Sequence, residues 1–371
     1  MYKTKGLKNG RIEVADALRG LAVIGIILYH SVEHFNVFGP PATYRLACDN
    51  TVFRVLNLLL SGKMYGIFAV LFGLSFFIMR DNQEQKGNDF SLRFAWRMVL
   101  LFVLGAINTC LYDGDILTTY ALLGLLMIPA GYISTPVLAV ITGILLIQPT
   151  EIYSALTGWT PDVSWVNGNY GKMGDAHING TFIDGVVANA RYGFVTTMGW
   201  FILVGRLTQT LGLFYLGIIF GRLRLFYDEG KNLRTWGIML AVSAVLVLAG
   251  AFVDFGSWSK VLKPLHNLCI LTVIMSAFVL LWYKVSGFMK ALSKICFFGR
   301  MSLTNYLLQS VLGSTLFYGF GLSLCTKLGT TWSALVGVGI IAVQFTLLYF
   351  WSLKHQRGPL ETIWRKLTWI W

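Results

Sequence analysis

Ionisable side chains interrupt the apolar segment from Ala15 to Phe35. The segment reads ADALRGLAVIGIILYHSVEHF and contains Asp16, Arg19 and His30. An ionised group at membrane depth costs about 2.5–3.5 kcal/mol on insertion scales, so such residues usually face a protein interior or a wet cavity. Imidazole accepts and donates a proton near neutral pH, and guanidinium matches the geometry of phosphate. These residue types predict a site that combines proton transfer with anion binding.

Arg19 and His30 share one face of the helix that this segment predicts. They are eleven positions apart, which is within about 20° of three full turns and spans about 16 Å. Asp16 lies one turn before Arg19, and His34 lies one turn after His30. Arg19 is therefore a candidate phosphate ligand and His30 a candidate base. The competing interpretations are an Arg19–Asp16 ion pair and a histidine that is bonded to a neighbouring helix.

A second polar face is predicted in the segment 297–318. Ser302, Asn305 and Gln309 recur at i, i+3 and i+7, so their side chains should turn together toward a site or another helix. The two amides are candidate donors to the oxyanion of an acyl-transfer intermediate. Interhelical hydrogen bonding is the alternative, at about 0.6 kcal/mol per contact on average.

Three further charged residues are candidates because they border or interrupt apolar runs. Asp113 and Asp115 lie at the start of the run 114–131, where an aspartate commonly caps a helix. Capping is the expected role of Asp113, whereas Asp115 is also a candidate catalytic residue. Arg206 lies inside the run 195–221 and is expected to reach the same cavity as Arg19 and His30.

Composition places the chain among polytopic membrane proteins. Hydrophobic residues make up 56% and charged residues 13% of the 371 positions, whereas an ordinary soluble domain has about 25% charged residues. The net charge is +13, but the cations fall between apolar runs rather than on a polar domain. The expected surroundings are therefore a lipid bilayer, and nucleic acid is not an expected partner.

Ten apolar runs are long enough to cross about 30 Å of hydrocarbon, at roughly 20 residues each. They are 15–34, 55–79, 92–111, 114–131, 135–154, 195–221, 235–253, 266–285, 297–318 and 332–353. Twenty of the 30 Lys and Arg residues form five groups of four within 3–11, 80–97, 222–234, 284–300 and 354–366, on alternate sides of these runs. Because cations accumulate in cytoplasmic loops, both termini are predicted to be cytoplasmic.

The predicted fold is an all-α polytopic bundle of about ten transmembrane helices. Residues 1–371 form a single transmembrane domain with an extracytoplasmic loop at 150–194 and a cytoplasmic C-terminal tail at 354–371. A loop of that length is uncommon unless it is functional or disordered. The first run is expected to be retained rather than cleaved as a signal peptide, because Asp16 and Arg19 interrupt its start.

Several chemistries find no support in the sequence. The five cysteines lack CxxC spacing and cannot all pair internally, which favours neither a zinc site nor a disulfide framework, and no metal is expected. The chain contains neither a P-loop nor a GxGxxG after a strand, which argues against a nucleotide-driven pump.

Several motifs resemble those of known membrane proteins. Arg19, ten intervening residues and His30 resemble the Arg-ten-His motif of acyltransferase-3-type membrane acyltransferases, whose histidine is the proposed base. A closer resemblance, to the YeiB-like family of bacterial membrane proteins, lies in DALRGLAVIGIIL at 16–28, GDIL at 114–117, GRMSLTNYLLQS at 299–310 and RGPLETIWRKLTW at 357–369. That family is placed in a transmembrane acyltransferase superfamily with the lysosomal heparan glucosaminide acetyltransferases.

The resemblance implies an acyltransferase of the bacterial cytoplasmic (inner) membrane. It would move an acyl group from cytoplasmic acyl-CoA, with acetyl-CoA as the expected donor, to an extracytoplasmic glycan or similar polar acceptor. The predicted catalytic residues are His30, Asp115 and His34, and the predicted donor-binding residues are Arg19, Arg206, Asn305 and Gln309. His34 is included because YeiB-like proteins commonly have asparagine where His30 stands, and superfamily members with asparagine there use a later histidine.

Two other function classes stay open at this point. Charged residues inside a bundle also line transport paths, so a permease for a small polar or anionic solute is the main alternative. A binding or sensory protein without turnover is the other, and the oligomeric state is also open. A requirement for acyl-CoA would separate the enzyme from both, and flux in sealed vesicles would identify the permease.

Overall fold

The computed structural model describes residues 12–33, 35, 43–227, 232–253 and 256–370. Helices account for 80% of the structure, and the described residues contain no strand beyond an isolated bridge between Tyr44 and Leu328. The all-α prediction is confirmed. His34 lies outside the described residues, so its predicted role stays a prediction.

Eight helices form the first part of the bundle. They are α1 (Glu13–Val32), α2 (Asp49–Leu59), α3 (Lys63–Glu84), α4 (Ser91–Thr109), α5 (Leu117–Leu125), α6 (Met127–Ala130), α7 (Thr135–Leu146) and α8 (Pro149–Thr157). Gly62 precedes α3 with φ at +71°, a left-handed conformation that glycine adopts without steric cost. It separates α2 from α3 within one apolar stretch.

Eleven helices follow. They are α9 (Ser164–Asn179), α10 (Phe182–Ala188), α11 (Phe194–Leu203), α12 (Arg206–Arg222), α13 (Leu233–Ala251), α14 (Ser259–Lys284), α15 (Ser286–Leu292), α16 (Cys296–Arg300), α17 (Ser302–Phe317), α18 (Thr330–Ser352) and α19 (Pro359–Thr368). A π-helical turn, Asn189–Gly193, joins α10 to α11. Three short 3-10 turns cover Gly256–Trp258, Ser293–Ile295 and Leu324–Thr326.

Six helical segments of the described chain are long and apolar enough to cross a membrane, or eight when two bent helix pairs are each counted as one span. The pairs are α7 with α8, bent by 43°, and the 182–203 segment with α12, bent by 80°. These eight overlap eight of the predicted runs. The runs 114–131 and 297–318 are helical but broken near Leu126 and Met301. The total of ten spans and the side of each terminus therefore stay predictions.

Helix α1 lies inside the bundle and packs against α3, α16, α17 and α18. Its contact with α16 depends on glycine: a Cβ at Gly299 would collide with the carbonyl of Asp16, and a Cβ at Gly20 would lie 2.7 Å from the carbonyl of Ile295. The DALRG and GRMS segments, distant in sequence, thus meet backbone to backbone. This contact positions Arg19 against the start of α17.

The segment 150–194 is helical over most of its length and packs on the bundle. Thr181 and Asp184 form a reciprocal capping box at the start of α10. The carbonyl of His177 accepts a hydrogen bond from the amide of Gly319 (2.7 Å), and the His177 ring stacks on Tyr318 with 4.0 Å between ring centroids. These contacts hold α9 against the end of α17.

Candidate active site

A cavity of about 230 Å³ surrounds the end of α1 and is called here the His30 cavity. Seven helices contribute to its walls: α1, α3, α5, α9, α11, α12 and α17. Its polar lining includes His30, Glu33, Tyr65, Tyr120, Tyr170, Arg206, Ser302, Tyr306 and Gln309. The predicted base and the predicted polar face of α17 therefore meet in one cavity.

Gln309 lies directly against His30. Its Nε2 is 3.1 Å from Nδ1 of His30, while its Oε1 is buried and has no hydrogen-bond partner within the described chain. The oxygen and nitrogen of the Gln309 amide have nearly the same shape, so either of them can face Nδ1 of His30. An oxygen there requires a proton on Nδ1, whereas an NH2 group requires a lone pair. With Oε1 turned toward Nδ1–H, Nε2 of His30 keeps a lone pair and can act as a base.

Two tyrosine rings restrict the imidazole further. The ring centroid of His30 lies 5.2 Å from that of Tyr112 and 6.5 Å from that of Tyr306. Aromatic pairs at such separations are favourable and directional. The His30 ring is therefore held from two sides as well as by Gln309.

A second cavity, of about 220 Å³, is called the Arg19 cavity. Three arginines line it: Arg19, Arg97 and Arg300. Arg19 lies 3.3 Å from the carboxylate of Asp16 and donates to the hydroxyl of Ser75 (2.8 Å). The expected ion pair is present, and the guanidinium also lines the cavity. Three arginines against one lining carboxylate, Glu361, leave a positive excess in a partly aromatic chamber, which suits a phosphate-bearing ligand.

The two cavities share a thin wall. Five residues line both: Phe68, Leu117, Tyr120, Ser302 and Tyr306. The hydroxyl oxygen of Tyr306 accepts a hydrogen bond from the amide of Ile116 (3.1 Å), so its own proton is still available to donate. Tyr120 is 1% exposed, and its hydroxyl has no hydrogen-bond partner among the described residues. A buried hydroxyl without a partner is costly, which favours a ligand here.

Asp115 lies behind the wall of the His30 cavity rather than in it. Its neighbours Gly114 and Ile116 line the cavity. The Asp115 carboxylate accepts hydrogen bonds from Nδ2 of Asn108 (2.8 Å) and from the amide of Thr118 (3.0 Å) in the first turn of α5. Asp115 thus makes the capping contact that was expected of Asp113. The carbonyl of Asp113 accepts from the Thr197 hydroxyl (2.8 Å).

The remaining predicted donor ligands are separated. Arg206 lines the His30 cavity, not the Arg19 cavity, and donates to Oε1 of Gln209 (2.8 Å). Asn305 lines neither cavity, and its Nδ2 donates to the carbonyl of Phe298 (3.0 Å). Asn305 therefore fits the packing alternative, because its side chain is used to join α17 to α16.

Sequence reasoning missed four residues of the Arg19 cavity: Arg97, Arg300, Glu361 and Trp364. The Glu361 carboxylate accepts from the amides of Leu303 (2.7 Å) and Thr304 (3.0 Å) and ties α19 to α17. Burial raises the pKa of the Glu361 carboxyl, although the Thr304 hydrogen bonds oppose this. In the sequence, Arg97 and Arg300 belong to the groups of loop cations that predict which loops are cytoplasmic.

Two family models and several uncharacterised relatives match the chain. Residues 11–161 match the family model for the catalytic part of heparan-alpha-glucosaminide N-acetyltransferase, and residues 220–371 match a family of unknown function, DUF418. Uncharacterised protein YeiB of Escherichia coli is 27% identical, over 95% of this chain and 95% of its own length. The chain is therefore similar to YeiB over nearly its whole length, which supports a YeiB-like family.

Other relatives of this YeiB-like protein cover nearly the whole chain as well. Uncharacterised protein YxaH of Bacillus subtilis is 27% identical over 98% of this chain and 96% of its own length. A 39.9 kDa protein of Bacillus acidopullulyticus, encoded in the amylase 3′ region, is 25% identical over 96% and 94%. No solved structure gives a significant match. The YeiB-like assignment supports a multi-pass membrane protein with an acetyltransferase-like N-terminal half.

Proposed function

We propose that this protein is an acyltransferase of the bacterial inner membrane. It takes an acyl group, acetyl in the first instance, from cytoplasmic acyl-CoA and delivers it to an extracytoplasmic glycan or similar polar acceptor. The observation that carries this proposal is the pair of cavities on either side of one wall, with three arginines in one and His30 in the other.

The Arg19 cavity has the chemistry that an acyl-CoA requires. Guanidinium groups bind phosphate by paired, charge-assisted hydrogen bonds, and the cavity contains three of them. Arg19 and His30 are about 16 Å apart along α1, so a donor must carry its reactive carbonyl on a long, thin arm beyond its phosphates. Acyl-CoA has this form. The aromatic side chains Phe68 and Phe72 offer an apolar path for the arm.

His30 and two tyrosines of the wall divide the chemistry between them. His30 takes the proton from an acceptor hydroxyl or amine as the acceptor atom bonds to the thioester carbon. Tyr120 and Tyr306 donate to the carbonyl oxygen as negative charge builds there. His30 then returns its proton to the sulfur as the carbon–sulfur bond breaks, so the products are the acylated acceptor and the free thiol.

The predicted topology gives this arrangement a direction. The cations that precede α1 and those of the C-terminal tail place the start of α1 and α19 on the cytoplasmic side. The Arg19 cavity, lined by Glu361 and Trp364 of α19, would then open to the cytoplasmic donor. The His30 cavity, lined by Tyr170 of the 150–194 segment, would receive the extracytoplasmic acceptor.

Binding of acetyl-CoA to purified protein tests the proposal. Titration calorimetry should show binding to wild type, loss of binding in Arg19→Ala, and retention in His30→Ala. Arg206→Ala is the matched control, because that arginine lines the other cavity and should not affect the donor. A folded wild type that binds neither acetyl-CoA nor longer acyl-CoAs would refute the transferase and favour the permease, which solute flux in sealed vesicles would then detect.

A further inference from the structure

A third cavity opens at the end of α3, between the α3–α4 connection and the end of α19. It encloses about 450 Å³, more than either cavity of the active site. Its lining includes Asn82, Gln83, Lys86, Arg97 and Trp369. We call it the α3–α19 groove. Met79 and Arg97 line both this groove and the Arg19 cavity, so the two spaces adjoin.

The groove offers three kinds of interaction together. The amide side chains of Asn82 and Gln83 can each donate and accept hydrogen bonds. Lys86 and Arg97 are cations, and the described lining contains no carboxylate. Trp369 is 42% exposed and is covered on one face by the guanidinium of Arg93, at 4.2 Å. A nucleotide is bound by the same three features: amides that hydrogen-bond to the edge of the base, an aromatic ring that stacks on the base, and cations that bind the phosphates.

Arg97 occupies the junction between the groove and the Arg19 cavity. Its guanidinium lies 3.9 Å from the ring of Trp364 and 3.5 Å from the hydroxyl of Thr368. Its Nε is buried and has no hydrogen-bond partner in the part of the chain that is described. A buried, unpaired donor on a cation is expensive, and an anion at the junction would satisfy it.

We infer that the α3–α19 groove binds the adenine nucleotide end of the acyl donor, with Arg97 on its phosphates. This inference rests on the proposed function and extends it. The donor would lie with its nucleotide in the groove, its phosphates at Arg97 and Arg19, and its thioester at the wall formed by Tyr120 and Tyr306. Helix α19, which lies in the segment predicted from sequence as a cytoplasmic C-terminal tail, then becomes part of the donor site.

An anionic lipid headgroup shares the phosphate chemistry and is the other source of such a ligand. Lys86 and Arg97 alone would bind the phosphate of a nucleotide or of a lipid headgroup equally well. The glycerol hydroxyls of a phosphoglycerol headgroup also pair with the amides of Asn82 and Gln83, but that headgroup has no ring to stack on the indole of Trp369, whereas a purine suits both the amides and the indole. The nucleotide is therefore the occupant that the lining favours.

The test uses the full-length protein in phosphatidylcholine nanodiscs, with adenosine bisphosphate, CoA and pantetheine as calorimetric probes. Adenosine bisphosphate should bind wild type and compete with CoA. Trp369→Ala and Lys86→Ala should each weaken CoA binding about tenfold and leave pantetheine unaffected. Trp369→Phe, which keeps a stacking face, should retain most of the affinity. Trp332→Ala and Lys290→Ala alter exposed residues elsewhere and serve as controls.

The outcomes separate this inference from the proposed function. If Arg19→Ala abolishes CoA binding but the groove variants bind CoA as wild type does, the groove is not the nucleotide site and the transferase stands. If folded wild type does not bind CoA, both fail. If added phosphatidylglycerol displaces adenosine bisphosphate and the groove variants change only lipid binding, the groove is a headgroup site and the inference is overturned.

Discussion

Replacement of Gln309 by leucine should slow acyl transfer strongly without weakening donor binding. The buried amide of Gln309 lies against Nδ1 of His30, with Nε2 at 3.1 Å, and the flipped amide turns Oε1 to accept a hydrogen bond from Nδ1–H. The imidazole becomes a cation when it takes the acceptor's proton, and a hydrogen bond to a charged group contributes about 1.5–3 kcal/mol. Loss of that bond in the transition state alone corresponds to a decrease in turnover of about 10- to 150-fold.

The assay is release of the CoA thiol from acetyl-CoA by protein in proteoliposomes, with a membrane glycan fraction as acceptor. Gln344→Leu is the matched control, because Gln344 is a buried glutamine of α18 that lines none of the three cavities. The Gln309→Leu protein should retain the wild-type dissociation constant for acetyl-CoA. Turnover within about twofold of wild type, below the effect of one charged hydrogen bond, would refute the role given to Gln309, as would an equal loss in Gln344→Leu.

Two further predictions concern the wall and the α1–α16 contact. Tyr120→Phe removes one hydroxyl that lines both cavities, and should lower turnover about 10²-fold with donor affinity unchanged, the size of effect seen when an oxyanion donor is lost; unchanged turnover would exclude the hydroxyl from the reaction. Gly299→Ala should lower the free energy of unfolding by about 1–3 kcal/mol, because its Cβ would collide with the Asp16 carbonyl. Gly287→Ala, where a Cβ meets nothing within 4 Å, is the control, and thermal unfolding in detergent measures both.

The 3.6-residue period of a helix predicts correctly which side chains of α1 line the cavities. On α17 the same period predicts only part of the lining. Arg19 and His30, three turns apart, face the two adjoining cavities. The same period put Asn305 and Gln309 on one face, yet only Gln309 lines a cavity, because Asn305 lies one turn away beside the carbonyl of Phe298. Periodicity identifies a face, whereas the neighbour at each level along that face depends on tertiary packing.

Hydropathy predicts the apolar segments better than it predicts their continuity. The runs 114–131 and 297–318 have the composition of spans, but the first breaks between α5 and α6 and the second at Met301. A window average does not register such a break. Both breaks lie next to residues that line both cavities: α5 contains Tyr120, and α17 begins at Ser302.

The proposed active site draws on both halves of the chain. Arg19, His30 and Tyr120 fall within residues 11–161, which match the acetyltransferase catalytic model, whereas Tyr306 and Gln309 fall within residues 220–371, which match the family of unknown function. The first half contains the proposed base, and the second contains the amide that contacts its Nδ1 and one of the two wall tyrosines. Gly299 brings α16 against Asp16 of α1, so the close contact between these two helices joins the two halves. If the proposed function is correct, neither half should catalyse the transfer without the other.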